Sequence, residues 1–239
     1  KYEDLRKLSN LKSSMKEIIH AIIPKTFEDL EDKMSGASRL VPMVQIDVLD
    51  GSLVPIRAWP YQSANKMDMV FDDIVSEKYG FPFWEELEFE AHFMVREPER
   101  IIEDWIRAGV SRIILEAEGV SDFKKCISLI DGRVPIGVSI ALGTSRDFLK
   151  EIVGYINVIQ CMGWTFSHMG RQGEHLDENV FKTIEEIKKE YPDCEVAVDG
   201  GVTLENAKRL IDSGADKLVI GSAPWREGVF RENLEKFKS

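Results

Sequence analysis

Two aspartates and a histidine have residue types and settings suited to moving a proton or holding a cation. The segment VQIDVLDGSLVP closes a β-branched run at residues 41–48. With the period-two alternation of a strand, Met43, Gln45 and Asp47 share one face, and Val44, Ile46 and Val48 the other. If the apolar face packs under helices, Gln45 and Asp47 point the opposite way, where a carboxylate must be paired, metal-bound or solvated. Asp50-Gly51 follows as a turn, which Asp50 either caps or leaves to join the site. The run EFEAHFMV repeats the pattern, with Glu88, Glu90 and His92 on one face and Phe89, Ala91 and Phe93 on the other. Acidic neighbours on its own face favour a functional His92 over a core one. In CEVAVDGGV, Val196 and Val198 face outward and Asp199 inward, while Glu116 ends a further strand-like run. Two carboxylates across one bound molecule can act as base and acid on opposite faces of a carbon, provided their protonation states differ.

Glycines supply a second chemistry. Gly200-Gly201 precedes a helix that starts near Thr203, and Gly221-Ser222 follows the strand-like run of LVIGSA. Gly-rich turns at helix N-termini let backbone N–H groups approach a phosphate. The stretch MGWTFSHMGRQGEHL contains Gly170-Arg171-Gln172-Gly173, able to wrap a phosphate with Arg171 as its charge partner. In the same stretch, Trp164 and His168 either form a lid or pack the loop on itself.

These residues need a scaffold that gathers them. Short β-branched runs at 17–23, 41–48, 88–95, 111–116, 134–141, 155–162, 194–199 and 215–220 alternate with helix-period stretches. The helical stretches lie near 27–35, 67–78, 98–108, 121–130, 145–153, 177–190, 203–213 and 226–238. Strict alternation predicts a parallel sheet, and about 30 residues per unit fits a βα repeat. The expectation is an α/β fold: one (β/α)8 barrel domain over residues 17–239, preceded by an amphipathic helix or extension over 1–16. Thr26 and Thr203 stand at helix starts, Pro98 in a first turn, and Gly109 and Gly214 after helices. The segments AGVSRIILEAEG and SGADKLVIGSA resemble each other, as a half-barrel duplication would make them. In such a barrel, function belongs at the C-terminal ends of the strands.

Composition narrows the partners. The chain has 239 residues, 44% apolar, with a formal net charge of −11. That balance repels phosphodiester backbones and anionic lipid, so neither nucleic acid nor membrane is expected. No apolar run approaches the ~18 residues of a membrane span. Three well-separated cysteines, Cys126, Cys161 and Cys194, read as reduced thiols in a cytoplasmic protein.

The segments IDVLDGSLVP, EAHFMVREPE, AGVSRIILEAEG, VAVDGGVTLENAKRLIDSGAD and LVIGSA resemble the ribulose-phosphate 3-epimerases, from about Ile22 to Ala223. The resemblance implies a phosphate-binding barrel that inverts a carbinol centre of a phosphorylated ketose. It implies that Asp47 and Asp199 exchange the proton. It also implies a divalent metal (zinc, iron or manganese), held by these two aspartates, His92 and a second histidine. That second position is Gln45 here, and an amide is a poor ligand beside imidazole. The family's serine after the first strand is Lys25, and its strand-5 Pro-Gly-Thr is Leu142-Gly143-Thr144. Two arrangements follow for stabilising the enediolate. A metal sits on Asp47, His92 and Asp199, aided by Gln45 or Glu90, or Lys25 supplies the positive charge instead. Family members are commonly multimers, which makes the first helix and residues 61–73 candidates for homo-oligomer contacts. Two other functions compete: a barrel that binds a phosphosugar without turning it over, and a lyase or decarboxylase of a related barrel family. The latter typically carries Asp-x-Lys-x-x-Asp, which Asp47-Val48-Leu49-Asp50 lacks.

Overall fold

Alternating helices and strands run through a computed structural model that describes residues 17–63, 66–170 and 173–222. In chain order they are β1 (Glu17–Ile22), α1 (Phe27–Ala37), β2 (Met43–Val48), a hairpin of β3 (Tyr61–Ser63) and β4 (Lys66–Met67), and α2 (Met69–Val75). There follow β5 (Glu88–Phe93), α3 (Ile102–Arg107), β6 (Arg112–Glu116), α4 (Phe123–Ile130), β7 (Ile136–Leu142) and α5 (Leu149–Ile152). The series ends with β8 (Val158–Thr165), α6 (Asn179–Glu190), β9 (Glu195–Asp199), α7 (Leu204–Asp212) and β10 (Lys217–Ile220). The eight long strands close into a parallel barrel in the order β1-β10-β9-β8-β7-β6-β5-β2. Closure pairs the first strand with the last, Glu17 opposite Lys217 through His20 opposite Ile220.

Alternation along each strand sorts the side chains as expected. Val44, Ile46 and Val48 of β2, Phe89, Ala91 and Phe93 of β5, and Val196 and Val198 of β9 join the core under the helices. A smaller cluster fills the barrel itself: Ile19, Ala21, Met43, Ile114, Val158, Ala197 and Val219. A buried ion pair, Arg112 with Glu90, and a partly buried one, Lys217 with Glu17, are interleaved with it.

Several element ends differ from expectation. Thr26 accepts from Asp29 N–H at 3.2 Å and so caps α1, but Pro98 opens a separate 3-10 turn, Pro98–Arg100, ahead of α3. The helix expected over 145–153 shortens to α5. The Ser145 hydroxyl donates to Asp147 Oδ2 and accepts from the Asp147 N–H, which competes with helical pairing. Strand β8 starts three residues later than expected, because Val153–Tyr155 forms a 3-10 turn. The β3–β4 hairpin has no sequence forecast. The helices expected within 1–16 and over 226–238 lie outside the described residues. Among the described residues, no helix is long and apolar enough to cross a membrane.

Candidate active site

Pairing register carries the polar side chains to one level of the barrel. Asp47 of β2 stands beside His92 of β5, and Met162 of β8 beside Asp199 of β9. Asp47, His92 and Asp199 each offer a ligand atom within 4.8 Å of the others. Between them lies the amide of Gln45. Its Nε2 donates to Asp47 Oδ1 at 2.8 Å and to Asp199 Oδ2 at 2.9 Å. Gln160 of β8 also donates to Asp199 Oδ2, at 3.1 Å. His92 is fully buried, with Nε2 2.9 Å from Glu116 Oε2 and Nδ1 3.4 Å from Asp47 Oδ1.

The electrostatics follow from that packing. Burial and the facing Asp47 carboxylate push Asp199 up to about 7, against the pull of His92 and the Gln45 hydrogen bond. Burial disfavours a charged His92, yet hydrogen bonds to Asp47 and Glu116 prevail and hold it well above the ordinary histidine range. Glu118, just beyond β6, is pushed up to about 8 by burial and by Glu116 beside it.

Asp47 and Asp199 also line a pocket at the strand ends. Its apolar wall is Ala21, Ile23, Met94, Met162, Trp164, Val202 and Val219. Gly170, Gly173, Gly200, Gly201, Gly221, Thr203, Glu174 and Ser222 complete it. Gly201 has φ +69°, and a Cβ there would lie 2.5 Å from the Leu176 nitrogen, so only glycine fits. The loop is tied to α7, since Thr203 N–H donates to Asn206 Oδ1 at 2.8 Å and Asn206 Nδ2 to Gly201 O at 2.9 Å. The first turn of α7 thus follows directly on the pocket wall, an arrangement suited to an anion.

The structure gathers Asp47, Asp199, His92 and Gln45, and it sets Gly170, Gly173, Gly200, Gly201, Gly221 and Ser222 around the same cavity. Arg171 and Gln172 lie outside the described residues. Lys25 is exposed and does not line the pocket; its backbone N–H bonds Asp29 at 2.7 Å. Asp50 caps its turn by accepting from Ser52 N–H at 2.8 Å. Glu90 is engaged with Arg112, so the acid bonded to His92 is Glu116, on the neighbouring strand. Trp164 forms pocket wall rather than an exposed lid, and His168 bonds Thr165 and Ser167 away from the cavity. Gln160 was missed by sequence reasoning. Its signal is a lone amide inside the apolar run VIQCM, in phase with Met162.

The donor set can be tested against a divalent cation. Three groups fit one, but the fourth position presents amide N–H groups, which repel a cation. Turning the Gln45 amide over would set its oxygen against two carboxylate oxygens at 2.8 and 2.9 Å unless a cation stood between them. As arranged, the site does not fit the metal.

Comparisons with known proteins identify the family and the fold. The model of the ribulose-phosphate 3 epimerase family matches residues 17–225. The ribulose-phosphate 3-epimerase of Chlamydia trachomatis is 28% identical over 209 residues, covering 84% of this chain and 80% of that protein. That of Bacillus subtilis is 27% identical over 201 residues, covering 82% and 85%. The same fold is found in 3-keto-L-gulonate-6-phosphate decarboxylase from Vibrio cholerae (TM-score 0.67, 10% identity, 94% of this chain and 96% of that one). It recurs in 3-hexulose-6-phosphate synthase from Salmonella typhimurium (TM-score 0.66, 14% identity, 93% and 96%). Matched by that family model over its whole described length, the chain belongs to the ribulose-phosphate 3-epimerase family.

Proposed function

We propose that the protein epimerises a phosphorylated ketose, ribulose 5-phosphate or a relative, at the carbon next to the carbonyl. The observation that carries this is the pair Asp47 and Asp199, brought from β2 and β9 to one pocket with Gly200-Gly201 at its edge. The phosphate sits in the glycine loops, at the start of α7, which fixes C3 between the two carboxyls. Asp199, with its proton affinity raised to about 7, carries the proton, while Asp47 takes the one on C3. The electron pair left on C3 delocalises onto the C2 oxygen as an enediolate. Asp199 then protonates C3 from the opposite face, and the roles reverse in the back reaction. Buried His92 provides positive charge beside both carboxylates, and the apolar wall of Met94, Met162 and Trp164 excludes water.

The test is proton exchange. D-Ribulose 5-phosphate in D₂O should gain deuterium at C3 and convert to xylulose 5-phosphate, read by NMR. Thermal stabilisation by the sugar phosphate with neither change would establish a binding barrel without turnover and end the epimerase reading.

A further inference from the structure

At the point where the two aspartates and His92 converge, the chain places N–H donors. Both hydrogens of the Gln45 amide are engaged, one by Asp47 at 2.8 Å and one by Asp199 at 2.9 Å. The Gln160 amide adds a third donor to Asp199 at 3.1 Å and approaches His92 Nδ1 at 3.4 Å. Neither glutamine is exposed at all, so water does not compete for these bonds. The amide oxygens, Gln45 Oε1 and Gln160 Oε1, have no hydrogen-bond partner among the described residues. Leaving a buried acceptor unpaired costs about 1–3 kcal/mol, so the nitrogens face inward because the carboxylates require it. A divalent ion between Asp47 and Asp199 would have to break both Gln45 bonds and would face further N–H groups.

We propose that the amides of Gln45 and Gln160 hold the two aspartates together in place of a divalent cation. They are positioning residues: neither lines the pocket, and both act through the carboxylates that do. This inference concerns the site of the proposed epimerase, but its test reads metal and needs no substrate. Its failure and the failure of the epimerase reading are therefore separate results.

The experiment is elemental analysis of the full chain, expressed in medium supplemented with zinc, manganese and iron and purified without chelator. The wild type should carry under about 0.1 equivalent of any divalent metal, and added MnCl₂ or ZnCl₂ should leave its melting temperature unchanged. Near one equivalent, or a rise in melting temperature that EDTA reverses, would overturn the proposal. Gln45→His replaces the donor by an imidazole and should take up close to one equivalent; a folded Q45H that stays metal-free would also overturn it. Gln45→Ala, which removes the amide and adds no ligand, covers the case in which Q45H does not fold. It should bind added Mn²⁺ at least tenfold more tightly than the wild type, and equal affinity counts against the proposal.

Discussion

His92 and Glu116 form a buried pair, Nε2 to Oε2 at 2.9 Å, with neither side chain exposed. The pair orients the imidazole so that Nδ1 faces Asp47 and Asp199. Glu116→Ala leaves His92 Nε2 buried without its acceptor while Asp47 and Asp199 still face Nδ1, which costs about 3 kcal/mol. For a chain of this size that lowers the melting temperature by roughly 10 °C. Glu116→Gln keeps an acceptor and should lose distinctly less. Thermal unfolding followed by circular dichroism checks both.

The rate should depend on pH through Asp199. The proposed exchange needs one protonated and one ionised carboxyl, and Asp199 holds its proton up to about 7. As pH rises through that value the acid is lost, and kcat/KM should fall. A profile from pH 5 to 9 that stays level through 7 contradicts the assignment. Asp199→Asn should remove that limb and lower the rate by about 10²–10⁴-fold.

Glu118 gives the fold its own pH dependence. Its carboxyl binds a proton more tightly in the folded chain, with its affinity raised from 4.5 to about 8. A carboxyl raised in this way stabilises the fold fully below its unfolded value and loses that contribution as pH climbs to the folded one. Stability should therefore decline between about pH 4.5 and 8. Glu118→Gln mimics the protonated acid, so its melting temperature relative to wild type should climb from pH 5 to pH 8. A constant difference would show that Glu118 does not titrate this way.

Gly201→Ala places a methyl 2.5 Å from the Leu176 nitrogen at a φ of +69°. The strain is about 1–3 kcal/mol, and relief requires the loop to move away from the His175-Leu176 segment ahead of α6. Affinity for the phosphorylated ketose should drop by about tenfold or more, measured as KM, with a smaller effect on kcat.

Lys25 is exposed on the loop after β1 and does not line the pocket. Lys25→Met should keep activity within about twofold of wild type. Loss of turnover in a folded variant would bring back the alternative in which this ammonium stabilises the enediolate.

Much of this was legible because a barrel strand is short and its side chains alternate strictly. Asp47, His92 and Asp199 could each be placed inward from a few apolar neighbours. The glycine loops could be found because positive φ demands glycine at Gly201. Partners across the barrel were less accessible. Which acid reaches His92 depends on the stagger between β5 and β6, which puts Glu116 rather than Glu90 at Nε2. Gln160 escaped notice for the same reason: its strand reads as apolar filling, and only the register of β8 on β9 brings it to Asp199. Helix ends failed where local polar bonds compete with the helix, as at Ser145 and Asp147.

Asp47 and Asp199 hang from β2 and β9, members of a closed ring whose girth depends on strand number and stagger. No loop sets the gap between them. The connection after β8, which contributes Gly170 and Gly173 to the cavity, is not what spaces the two carboxyls. The span from carboxyl to carboxyl is therefore a property of the ring, and a rewritten connection after β8 would reshape the cavity mouth while that span stands still.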